Sequence, residues 1–102
     1  MKQPPYDPSH FEERARQELR VEPQFGQAGT EFHFKAFHFK RRDRVRVIIK
    51  GPKNWVVRDC LMDTDDDGSI GRSLILTASR DWPLGTYTFS VDGVSETFGL
   101  TR

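Results

Sequence analysis

Residues 85–100 read Gly85-Thr86-Tyr87-Thr88-Phe89-Ser90-Val91-Asp92-Gly93-Val94-Ser95-Glu96-Thr97-Phe98-Gly99-Leu100. Two β-prone runs, 86–91 and 94–100, are separated by Asp-Gly. That pair tolerates the positive φ angles of a two-residue turn and is the strongest local hairpin signal in the chain. Working back from the hairpin, Asp81-Trp82-Pro83-Leu84-Gly85 reads as a corner, Ile70 to Leu76 as strand and Asp63 to Gly68 as a polar loop. Trp55 to Leu61 is a further strand, preceded by the turn Gly51-Pro52-Lys53-Asn54. Val45, Val47 and Ile49 alternate with Arg44, Arg46 and Ile48, and Phe32, Phe34 and Ala36 alternate with Glu31, His33 and Lys35. Period two is the mark of a half-buried strand. The phase slips at Ala36-Phe37, because Phe37 and Phe39 are the next large apolar residues. Such a slip predicts a β-bulge or a strand that changes sheets. About seven short strands at this spacing predict an all-β, antiparallel sandwich.

The 102 residues suffice for one domain. Hydrophobic residues make up 35% and charged residues 30%, a polar composition that still supports a core, given eight Phe. Trp55, Trp82, Tyr87, Phe89 and Phe98 stand at alternate strand positions or at the corner and are predicted core. The Tyr87 hydroxyl is placed to bond nearby backbone. Residues 1–20 read as a separate lead-in. Three prolines (Pro4, Pro5, Pro8) are followed by Ser9-x-x-Glu12, which has capping-box spacing. Phe11, Ala15 and Leu19 then recur every four residues, predicting a short amphipathic helix ended by Pro23. The sandwich is assigned to residues 21–102. No secretory signal or 20-residue apolar run stands in this stretch, so as written it reads as soluble. That means cytoplasmic, or extracytoplasmic if it belongs to a longer secreted parent.

Gly29-Thr30-x-Phe32-x-Phe34-x-Ala36, Val45-x-Val47, Gly51-Pro52, Asp67-Gly68-Ser69-Ile70 and Trp82-Pro83-Leu84-Gly85-Thr86-Tyr87-Thr88-Phe89-x-Val91-x-Gly93 resemble bacterial immunoglobulin-like domains. These are modules of surface, adhesive and envelope proteins. The resemblance spans about residues 21–101 and implies an immunoglobulin-like sandwich; its motifs are turn and core signatures, specific for fold rather than function. The chain departs from the pattern in the basic turn Lys40-Arg41-Arg42-Asp43-Arg44 and in the extra helix.

Asp63-Thr64-Asp65-Asp66-Asp67-Gly68-Ser69-Ile70 matches the first eight positions of an EF-hand loop, with Asp63, Asp65 and Asp67 as candidate calcium ligands. Position twelve, which should carry a bidentate Glu, is Leu74, so an Asp/Gly turn is the preferred reading. A weak calcium site helped by Asp59 or Asp92 is the alternative, and no other cofactor is expected. Between Lys35 and Lys50 stand seven positive residues and one negative, beside Phe37, His38 and Phe39. The five carboxylates of Asp59–Asp67 are expected to meet this basic turn at one end of the sandwich and cancel its field. With a chain net charge of +1, nucleic-acid binding is disfavoured. His10, His33 and His38 make no ligand set, Cys60 has no His near it in sequence, and no nucleophile elbow or phosphate-cradling Gly loop is present.

The reading that follows is a non-catalytic protein–protein interaction module, an accessory or structural subunit of a larger assembly. Its partner is a protein or a second copy. Two contact surfaces are expected: the helix stripe of Phe11, Ala15 and Leu19, and the tip formed by Lys40, Arg41, Arg42 and Arg44. The alternative is an extracellular glycan- or calcium-binding module.

Overall fold

A computed structural model describes residues 17–70 and 74–102. Eight strands are present: β1 (Glu18–Glu22), β2 (Phe25–Gly26), β3 (Glu31–Phe37), β4 (Arg44–Lys50), β5 (Val56–Asp63), β6 (Ile75–Thr77), β7 (Gly85–Val91) and β8 (Val94–Leu100). They form two sheets, ordered β1-β3-β6 and β2-β8-β7-β4-β5. Among the described residues there is no α-helix, only a 3₁₀ turn at Pro52–Asn54. The fold is an all-β sandwich.

Alternation builds the core. β3 turns Phe32, Phe34 and Ala36 inward, β4 turns Val45, Val47 and Ile49, and β7 turns Tyr87, Phe89 and Val91. Between the sheets Phe34 meets Phe89 edge-on, with centroids 5.0 Å apart, and Phe98 at 5.2 Å. Phe32 closes on Phe98 at 5.0 Å. Edge-to-face pairs add roughly 0.5–1.5 kcal/mol to the area they bury. The hairpin forms as its sequence predicts: β7 and β8 pair from Gly85↔Leu100 to Val91↔Val94, and Asp92 and Gly93 both have positive φ, 47° and 90°.

The expected helix does not extend to its last residues. Positions 18–22 are β1, and Leu19 is buried (7% exposed) opposite Ala36, with Val21 opposite Phe34. Leu19 is thus a core residue of this sandwich and does not belong to a partner-facing stripe. Leu19 and Val21 alternate with Glu18, Arg20 and Glu22, a period of two that the four-residue spacing obscured. The sandwich consequently starts at Glu18. Phe11, Ala15 and the capping box lie outside the described residues.

A change of sheets does occur, but at Pro23 rather than at the phase slip. β1 pairs with β3 in one sheet, and two residues later β2 runs parallel to β8 in the other. The slip has a different cause. β3 ends at Phe37, and His38 adopts a left-handed φ of 69°, which returns Phe39 to the interior. There the Phe39 amide donates to the Gly68 carbonyl (3.0 Å). Gly68, itself at φ +80°, lies so close that a Cβ would collide with the Phe39 carbonyl. Ile70 bridges to Ala36, so the 63–70 loop is tied into the edge of the first sheet.

Candidate functional site

The turn 40–43 and the loop 63–68 come together at one end of the sandwich, with the Asp92-Gly93 turn beside them; the Asp92 side chain accepts from the Arg46 amide at 3.0 Å. The β4–β5 register sets this up, since Arg44 stands opposite Asp63 and Ile48 opposite Asp59. Three Arg–Asp pairs follow in a line. Arg42 Nε donates to Asp66 at 2.6 Å and Arg44 Nε to Asp63 at 3.2 Å. Arg46 is bidentate on Asp59, at 2.9 and 2.7 Å. The charge cancellation expected at this end is therefore realised. The Arg46 fork holds the Asp59 carboxyl below its ordinary range, and Asp59 in turn raises the Arg46 guanidinium. All six side chains are between 41% and 81% exposed, and such pairs contribute about 0–1 kcal/mol each.

What holds this end is backbone and one buried hydroxyl. Thr64, 6% exposed, donates from Oγ1 to the Lys40 carbonyl (2.6 Å) and accepts from the Asp43 amide (2.8 Å). Its own amide donates to the Asp43 carbonyl at 2.8 Å. The Asp65 carbonyl receives the amides of Arg42 (3.2 Å) and Gly68 (3.1 Å). Arg42 takes a left-handed φ of 51° to make this possible. Thr64 lies inside the Asp run, and the sequence reading passed over it in favour of the carboxylates around it. Its one legible signal is that it is the only hydroxyl between Asp63 and Gly68.

The candidate calcium ligands take up other tasks. Asp63 meets Arg44, and Asp67 Oδ1 accepts from the Ser69 amide (3.2 Å) in a turn of its own. Among the described residues no three His, Cys, Asp or Glu side chains converge on a metal-binding point. His33 pairs with Glu31 at 3.3 Å on an outer sheet face, and His38 is exposed at its corner. Cys60 is half-buried in β5 opposite Val47. Of the four expected tip residues, Arg42 and Arg44 are paired, whereas Lys40 and Arg41 are exposed and make no ion pair among the described residues.

The opposite end is aromatic. Trp55, expected in the core, is 38% exposed, and Trp82 is only half-buried. They sit at turns rather than within strands: Trp55 follows the 3₁₀ turn, and Trp82 starts the corner before β7. A ladder of rings leads inward from them. Trp55 meets Trp82 edge-on at 6.1 Å, Trp82 stacks on Tyr87 at 5.7 Å, and Tyr87 stacks on Phe98 at 5.2 Å. Tyr87 Oη donates to the Pro83 carbonyl (2.7 Å) and fixes the corner, as its position predicts. Its ring is fully buried, and that burial raises the phenol pKa above its ordinary 10.0. Beside the ladder lies an open hollow of ≈ 710 Å³ bordered by Pro52, Trp55, Val56, Pro83 and Leu84.

No protein-family model matches the chain, and no curated protein matches it. Among the described residues no helix is long and apolar enough to cross a membrane.

Proposed function

We propose that the chain is an immunoglobulin-like module that acts without catalysis, by contact between its charged end and a partner protein. Two features support the immunoglobulin-like reading: the two packed sheets and the corner at which Tyr87 bonds the Pro83 carbonyl. The contact reading is carried by one observation. The charged end presents exposed Arg–Asp pairs and two further cations, Lys40 and Arg41, on a backbone stitched through Thr64. Exposed pairs cost little to break, so a partner can exchange them for its own charges while the backbone beneath stays in place. Charge complementarity of this kind sets on-rate and specificity more than raw affinity. The helix stripe is not carried forward, because Leu19 is occupied in the core.

The test is affinity capture on the whole chain and on a K40E/R41E variant, both eluted by a salt gradient. A protein held by the natural chain, released by salt and absent from the variant column is the expected result. Identical captured sets on both columns would overturn the reading.

A further inference from the structure

We infer that β5 is a self-association edge: two copies of this chain pair antiparallel through it, about a twofold axis at Cys60, and join their five-stranded sheets into one. The inference goes beyond the charged-end reading and stands apart from it, since it uses backbone that the Arg–Asp pairs leave unoccupied.

β5 is the outermost strand of its sheet and, among the described residues, pairs only with β4. An open edge presents a row of unbonded amides and carbonyls, and proteins ordinarily blunt it with short length, charge, proline or a bulge. The other edges are blunted in this way. β1 carries Glu18, Arg20 and Glu22 and runs into Pro23, while β2 has two residues and β6 three. β5 has eight residues, with neither proline nor lysine. Its register shift against β4 falls at Val57 and leaves residues 58–63 regular.

The groups at the open edge follow from β4. The Arg46 carbonyl accepts from the Asp92 amide (3.2 Å), so Arg46 turns its backbone away from β5. Val45 and Val47 therefore turn theirs toward Met62 and Cys60. The Thr64 amide on the Asp43 carbonyl (2.8 Å) keeps the same alternation. Asp59 and Leu61 are left with amide and carbonyl at the open edge, where the Leu61 side chain is 62% exposed.

Charge selects the register. Directly opposed residues of an antiparallel pair share a face, so a twofold axis sets one residue against its own copy. An axis at Arg58 or Asp59 would oppose two like charges, and one at Leu61 would oppose Asp59 to Asp63; like charges directly opposite are destabilising. An axis at Cys60 opposes Asp59 to Leu61 and Arg58 to Met62, so no charge meets its like. Asp59 and Leu61 then exchange backbone hydrogen bonds with Leu61 and Asp59 of the second copy, and the two Leu61 side chains lie diagonally across the axis. The two Cys60 face each other as a non-hydrogen-bonded pair. Cα atoms in such a pair stand about 4.5 Å apart, within the roughly 4.4–6.8 Å span of disulfides.

The experiment reads mass by light scattering over a dilution series, with thiols kept reduced, for the whole chain, Leu61→Glu and Cys60→Ser. The natural chain is expected to pass from twice the chain mass to the chain mass on dilution. Leu61→Glu sets a carboxylate opposite Asp59 of the second copy and should move that midpoint about tenfold or more to higher concentration. Equal urea midpoints at monomeric dilution check that the variant folds. Cys60→Ser should associate as the natural chain does. Diamide, which takes up the two electrons and two protons of a thiol pair, should convert the natural dimer to a covalent one, a measurement that needs no variant. A natural chain that stays monomeric at its highest soluble concentration would overturn the proposal. So would a dimer that Leu61→Glu leaves unchanged, one that diamide does not cross-link, or growth past two copies.

Discussion

The two ends of this sandwich are held by different means. At the aromatic end, Trp82, Tyr87 and Phe98 form a continuous stack into the interior, so a change at the corner is felt by the core. At the charged end the side chains that catch the eye are exposed, and the fixed parts are carbonyls, amides and the Thr64 hydroxyl. Charge density is thus a poor guide to what is structurally fixed. The aromatic end is anchored by the buried rings of Tyr87 and Phe98 beneath the half-buried Trp82, and the charged end by its bonded backbone. Only the second arrangement leaves its side chains free to be re-paired.

The largest effect is expected where the aromatic stack meets the core. Phe98→Ala removes the ring shared by Phe32, Phe34 and Tyr87 and should destabilise by about 3–5 kcal/mol, read as a lowered urea midpoint. Next comes Gly68→Ala at the charged end. Positive φ and the collision with the Phe39 carbonyl should together cost at least about 1–3 kcal/mol. If this substitution were neutral, the fixed backbone assigned to that end would be wrong.

Thr64→Val and Tyr87→Phe set the two ends against each other. Each removes one hydroxyl from a buried position and should cost about 1–3 kcal/mol, with hydrogen exchange quickened at Asp43 for the first. Tyr87 adds a pH signature. Its folded pKa is raised, so the stability it supplies is complete below the unfolded value near 10 and is lost as pH rises through the folded value. The natural chain should therefore lose stability in alkali more steeply than Tyr87→Phe. The smallest effect belongs to Asp59→Asn. Asp59 is depressed in the folded state, so its contribution is present above the ordinary carboxylate pKa and fades as pH falls through the folded value. As an exposed pair, it should move the urea midpoint only marginally at neutral pH.

Much of the fold was legible because period two survives in the exposed half of each strand. The hairpin, the β4 alternation, the tyrosine corner and the meeting of the basic turn with the Asp loop all follow from local pattern. The misreadings have physical reasons. Leu19 belongs to both a four-residue and a two-residue series, and only pairing with β3 decides between them. Trp55 and Trp82 are large and apolar, but a residue just outside a strand is released from the alternation that would bury it. Thr64 could not be distinguished from a solvated loop residue, since its partners are carbonyl and amide groups 21 and 24 positions away. A partner 19 positions away likewise hides the bonding of Asp63 to Arg44, whereas Asp67 is bonded locally to the Ser69 amide; the four Asp residues of 63–67 disclose neither.

The claim that the charged end is fixed by backbone while its ion pairs stay exchangeable is tested most directly by two urea midpoints. One belongs to Thr64→Val. The other belongs to a variant with all three pairs neutralised, R42Q/D66N, R44Q/D63N and R46Q/D59N together, which leaves no unbalanced charge behind. The account predicts that the single threonine change lowers the midpoint more than the six pair changes combined. A larger loss in the neutralised variant would mean that the Arg–Asp ladder holds this end together, and that it is not available to a partner.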